Sequence, residues 1–158
     1  MPSLVFPALV RNQILEQHRQ LRELLEQVRR MRASDSHLPG AEQPSRDARR
    51  LADAAQELCQ RFQDHLSFEQ AALTPIFAII DAWGPERVKD LCDEHERQRR
   101  ELDGLRSRFE REEDVERLAD ALHGLADELL HDMEEEEAGC LRASLLSADS
   151  LFAEPRSP

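Results

Sequence analysis

Residues 51–72, LADAAQELCQRFQDHLSFEQAA, decide the fold. Leu51, Ala55, Leu58, Phe62, His65, Glu69 and Ala72 recur at alternating steps of four and three, which puts them on one face of an α-helix. Most of the remaining positions are Asp, Gln, Glu and Arg. The stretch therefore reads as an amphipathic helix whose core face carries an imidazole and a carboxylate one turn apart. Ser45 is the expected N-cap of this helix, with Asp47 favourable in its first turn. Pro75 lacks an N–H and clashes with the preceding turn, so the helix is expected to kink or end there.

The same period extends in both directions. Upstream, a helix from roughly Pro7 to Arg32 carries Ile14, Leu15, His18, Leu21, Leu25 and Val28 on one face. The longest loop follows, ASDSHLPGAEQPSRD, broken by Pro39, Gly40 and Pro44 and containing His37. Downstream, Trp83-Gly84-Pro85 marks a break, and Pro85 suits the first turn of a third helix with Val88, Leu91, Cys92, His95, Leu102, Leu105 and Phe109 on its apolar stripe. The next boundary lies in REEDV, where Asp114 can cap a fourth helix bearing Val115, Leu118, Leu122, Leu125 and Leu129. No stretch alternates like a strand. Four such helices with mostly short connections predict an all-α fold, an antiparallel up-down four-helix bundle over residues 1–141. Residues 142–158 form a tail with one short helix at most.

Composition narrows the functional classes. A net charge of −12 opposes binding to nucleic acid or an anionic membrane, and no basic, aromatic-rich patch offsets it. Cys59, Cys92 and Cys140 are odd in number and form no CxxC, so neither a disulfide framework nor a cysteine zinc site is indicated. The N-terminus lacks the basic region of a signal peptide and no segment is long and apolar enough to span a membrane, which makes the cytoplasm the expected compartment.

Histidine carries the chemical signal. His18, His65 and His95 each fall on a core stripe, on three different helices. One buried histidine is usually satisfied by hydrogen bonds, but three in one layer, beside a buried Glu69, are costly without a compensating charge. A metal cation is the simplest compensation. The HxxxE spacing of His65 and Glu69 recurs in His131 and Glu135 on the fourth helix.

These residues resemble the hemerythrin-like HHE cation-binding family over approximately residues 8–141. The resemblance rests on ILEQHRQLRELL around His18, HLSFEQAALTPIF around His65 and Glu69, WGPERVKDLCDEHERQRREL around His95, and HDMEEEEAGCL around His131. It implies a hemerythrin-like bundle around a carboxylate-bridged centre of two iron ions. His18, His65, His95 and His131 are then terminal ligands, and Glu69 and Glu135 are bridges. Mixed imidazole and carboxylate donors suit iron, and also zinc or manganese. The resemblance further implies a small diatomic ligand or peroxide as the partner. Invertebrate oxygen carriers of this kind use an additional histidine that this chain lacks, which argues against simple reversible O2 carriage and for sensing or reacting with O2, peroxide or nitric oxide. A di-iron peroxidase or oxidase is a second reading, although the chain has no Tyr to carry a radical. A metal-free interaction bundle is a third.

The fourth helix holds a conflict. Its apolar stripe, continued past Leu129, arrives at Asp132 and Glu136, whereas family spacing selects His131 and Glu135. The expectation follows the family spacing, with Asp132 and Glu136 as competitors. Glu134 and Glu137 read as a solvated acidic face, and His123 as a surface residue.

Overall fold

The structure is a computed structural model and describes residues 7–34, 43–111 and 114–146. Four long helices account for nearly all of it: α1 (Pro7–Ser34), α2 (Gln43–Ile80), α3 (Gly84–Glu110) and α4 (Val115–Ala138), followed by a single turn, α5 (Ala143–Leu146). Helix α1 packs on α2 and α4, and α3 packs on the same two. Residue pairing runs antiparallel: His18 meets Glu137 while Val28 meets His123, and Gln63 meets Asp103 while Gln70 meets Cys92. The chain is thus the all-α antiparallel bundle that its periodicity predicts.

Local chemistry sets the boundaries. Asp114 caps α4 by accepting from the backbone N–H groups of Glu116 and Arg117, at 3.0 and 3.2 Å. Helix α2 starts at Gln43, so the expected cap Ser45 lies inside the helix. His37 lies outside the described residues. Pro75 does not end α2, which continues to Ile80. Pro75 and Ala71, whose carbonyl loses its intrahelical partner, are both exposed, so water can satisfy that carbonyl.

Side chains divide the interior into three layers. One apolar cluster contains Leu21, Leu25 and Val28 of α1, Leu58, Phe62 and Leu66 of α2, Leu102 and Leu105 of α3, and Leu122, Leu129 and Met133 of α4. A second contains Val10 and Ile14, Leu73, Ile76 and Phe77, Leu91, and Leu141 with Leu145 and Leu146. Leu145 and Leu146 draw α5 into that second cluster, and Arg11 Nε donates to the Leu141 carbonyl beside it at 2.5 Å. Between the two clusters every long helix crosses a polar layer: His18, His65 with Glu69, His95, and Glu136.

The turn between α2 and α3 is tight. A Cβ on Gly84 would lie 2.0 Å from the Phe77 carbonyl oxygen, so only glycine lets the start of α3 sit against the end of α2. The obstacle is backbone and cannot swing aside. Gly84→Ala is expected to destabilise the protein by about 3 kcal/mol, as overpacking does, measured by urea unfolding.

Candidate metal centre

Histidines from three helices converge with two carboxylates. His18 and His95 are fully buried, Glu69 is fully buried, and His65 is 4% exposed. His18 Nε2 and His65 Nε2 lie 3.2 Å apart. Glu69 Oε2 is 3.4 Å from His65 Nε2 and also 3.4 Å from His95 Nε2. Glu136 Oε2 approaches His18 Nε2 at 3.5 Å from α4. Ligand atoms of His18, His65, Glu69 and Glu136 all fall within 4.8 Å of one another.

The outward faces of two imidazoles determine what the inward faces present. His18 Nδ1 lies 2.8 Å from Glu137 Oε1, and His65 Nδ1 lies 2.8 Å from Gln17 Oε1. Both partners are acceptors, so each Nδ1–H donates outward and each Nε2 points inward with its lone pair. With both rings neutral, the two Nε2 lone pairs lie 3.2 Å apart beside the carboxylates of Glu69 and Glu136. Both oxygens of Glu69 and both ring nitrogens of His95 are buried without a hydrogen-bond partner among the described residues. Orphaned polar groups of this kind cost free energy, and a positive charge among them would satisfy the Glu69 oxygens and one nitrogen of His95.

Electrostatics point the same way. Burial pushes the Glu136 carboxyl up to about 9, and the nearby Glu69, Asp132, Glu94 and Glu137 push in the same direction. Burial lowers His65 to about 4, against the pull of Glu69. Neither can hold its usual charge cheaply here. The imidazole and carboxylate donor set fits a first-row cation of the iron, manganese or zinc type, and a divalent ion at the cluster would favour neutral imidazole and ionised carboxylate together.

The fourth helix departs from the expected ligand set. His131 and Glu135, expected as a ligand and a bridge, lie outside the cluster: their side chains are 68% and 71% exposed and pair with each other at 3.4 Å. Burial of Leu122, Leu125, Leu129 and Met133 fixes the rotation of α4, and that rotation turns Glu136 inward. Asp132 also faces inward, but its Oδ2 accepts from Arg97 at 2.7 Å and from Gln98 at 3.1 Å. Glu137 is not merely solvated, because it joins His18 to Arg22, whose Nη1 is 2.8 Å away. Burial alone would raise the Glu137 carboxyl, but Arg22 and His18 outweigh it and hold it below the usual range.

His123 is not a surface residue. It is 8% exposed and its Nε2 donates to the Val28 carbonyl at 3.0 Å, tying α4 to α1 away from the cluster. The cysteines stay outside the site chemistry. Burial pushes the Cys140 thiol up to about 12 and Cys59 up to about 11, so both are protonated. Cys92 Sγ accepts from Gln70 at 3.4 Å rather than joining His95.

The sequence of residues 9–143 matches the family model described as the hemerythrin HHE cation binding domain, and the chain belongs to that family. A metal-binding role is the family's common property, and the His/Glu cluster lies within the matched span. No curated protein and no solved structure gives a significant match.

The pH dependence of the metal-free protein follows from these groups. Glu136 has a folded value raised above the ordinary 4.5, so its contribution is intact at low pH and is lost as pH rises toward about 9. His65 has a folded value lowered below 6.5, so its contribution is present above 6.5 and is lost toward about 4. Between pH 6.5 and 9 only the Glu136 effect operates, and metal-free protein should lose stability across that window. Glu136→Gln should flatten the loss, as measured by denaturant titrations at a series of pH values in the presence of a chelator. An unchanged slope in the variant would show that Glu136 is not the group responsible.

Proposed function

We propose that this protein holds two non-haem iron ions at the His/Glu layer and uses them to bind or sense O2 or a related small oxidant such as peroxide or nitric oxide. The observation that carries the reading is the position of Glu69 Oε2, equidistant at 3.4 Å from imidazole nitrogens of α2 and α3. A carboxylate oxygen shared between imidazoles of two helices is suited to bridging two cations. His18, His65 and Glu136 would hold the ion on the α1 and α4 side, and His95 the ion on the α3 side, with Glu69 common to both. Iron bound there supplies open coordination positions and a redox change, which are the properties a small oxidant engages.

The chain's own residues restrict the chemistry. Three imidazoles and a carboxylate buried at 0–4% admit only small ligands. Apolar clusters lie on both sides of the layer, which excludes water and strengthens electrostatic interactions within it. The chain has no Tyr to carry a radical, so the sequence gives turnover no positive support. The charge of −12 supports a partner that is a small molecule rather than nucleic acid or a membrane surface. No described helix is long and apolar enough to cross a membrane. Three free cysteines suit the reducing cytoplasm.

Anaerobic loading with iron(II), followed by exposure to air, should give a ratio approaching two iron ions per chain, with near-ultraviolet absorption from an oxo-bridged pair. The loaded protein should unfold at higher temperature, by the linkage that makes a ligand at 100 times its Kd stabilise by about 2.7 kcal/mol. Only trace iron, manganese or zinc after loading, with no rise in Tm, would sink the proposal. One ion per chain would leave a mononuclear site and remove the bridging role of Glu69.

A further inference from the structure

The three imidazoles of the layer differ in what stands behind them. His18 is backed by an ionised carboxylate, Glu137, which Arg22 clamps from the same helix as His18, one turn further on. His65 is backed by a neutral amide oxygen, that of Gln17. His95 Nδ1 has no hydrogen-bond partner among the described residues. The two adjacent residues Glu136 and Glu137 embrace His18 from both ring nitrogens, at 3.5 and 2.8 Å. On the far side the carboxylate of Asp132 is occupied by Arg97 and Gln98, and Arg97 is itself held among Glu94, Glu101 and Asp132.

We propose that Glu137, clamped by Arg22, and Gln17 are positioning residues that fix Nε2 of His18 and His65 toward the cation, and that His95, without such a partner, makes the α3 side the weaker-holding side of the site. The inference rests on the cation-binding reading above and goes beyond it by ranking the two sides. A partner behind a metal-bound imidazole fixes its tautomer and raises its basicity, and loss of that partner typically lowers metal affinity about 10–100-fold. A carboxylate does this more strongly than an amide, because its charge assists the Nδ1–H bond. The predicted order of holding is therefore His18, then His65, then His95. Glu137 and Gln17 do not themselves touch the cation in this scheme.

Zinc and cobalt(II) titrations of the full chain, in competition with a chromophoric chelator, test the ranking without any measurement of activity. Glu137→Ala should weaken the first equivalent about 10–100-fold, and Glu137→Gln, which retains an oxygen for the Nδ1–H, should recover part of the loss. Gln17→Leu should weaken it less than Glu137→Ala. His95→Ala should leave the first equivalent nearly unchanged and reduce the second. Nitrogen-15 NMR of the metal-free protein should show His18 as the Nδ1–H tautomer in the wild type and in Glu137→Gln, and a tautomer mixture in Glu137→Ala. Thermal unfolding of each variant in chelator separates simple misfolding from lost positioning.

Wild-type affinity in Glu137→Ala with the tautomer unchanged would overturn the positioning role. A first-equivalent loss in His95→Ala as large as that in Glu137→Ala would overturn the ranking. A wild-type chain that binds neither zinc nor cobalt would instead overturn the underlying cation-binding proposal. If the wild type binds one ion only, the comparison of Glu137→Ala with His95→Ala still decides the ranking.

Discussion

Glu69 is fully buried among imidazoles, and neither of its oxygens receives a hydrogen bond from the described residues. An isolated carboxylate in such a place costs several kcal/mol, a large share of the marginal stability of a domain this size. Beside it, Nε2 of His18 and Nε2 of His65 approach within 3.2 Å. The surrounding structure is arranged as though a positive charge were part of it. Nδ1–H groups point outward, Nε2 atoms point inward, and a second carboxylate enters from α4.

The two apolar clusters make this arrangement tenable. Each buried leucine or phenylalanine contributes about 2 kcal/mol, and both clusters draw on all four long helices or their flanking turns. That surplus holds the polar layer together even when its charges conflict. It also fixes the rotation of each helix independently of the ligands. Surface ion pairs such as Arg19 with Glu16 and Glu23 are exposed, and they add little by comparison.

Three of the four helices were legible in this respect from sequence. Ile14, His18 and Leu21, or Phe62, His65 and Glu69, keep one helical period, so the buried face and the face that carries the His/Glu cluster are the same face. On α4 two kinds of information disagreed. Residue type and family spacing favoured His131 and Glu135, whereas the apolar stripe led to Asp132 and Glu136. The stripe prevailed because burying Leu129 and Met133 outweighs the preference for any one donor type. Pro75 was expected to kink or end α2, and α2 does not end there; sequence does not reveal that its side of the helix faces water. Partners reached across a helix interface were illegible for a similar reason. Gln17, Glu137 and the Val28 carbonyl that accepts from His123 are selected by interhelical distance, which no one-dimensional pattern encodes.

The run Glu134–Glu137 acquires a different meaning in this light. Successive residues of an α-helix are about 100° apart around its axis, so four consecutive glutamates present carboxylates in nearly every direction. Two of them meet His18, and the other two face solvent. Glu136 and Glu137 therefore reach His18 from neighbouring directions, one at each ring nitrogen, while the buried Leu129 and Met133 hold α4 at that rotation. The layer thus draws two carboxylates from adjacent positions of one helix, whereas its imidazoles come singly, one from each of α1, α2 and α3.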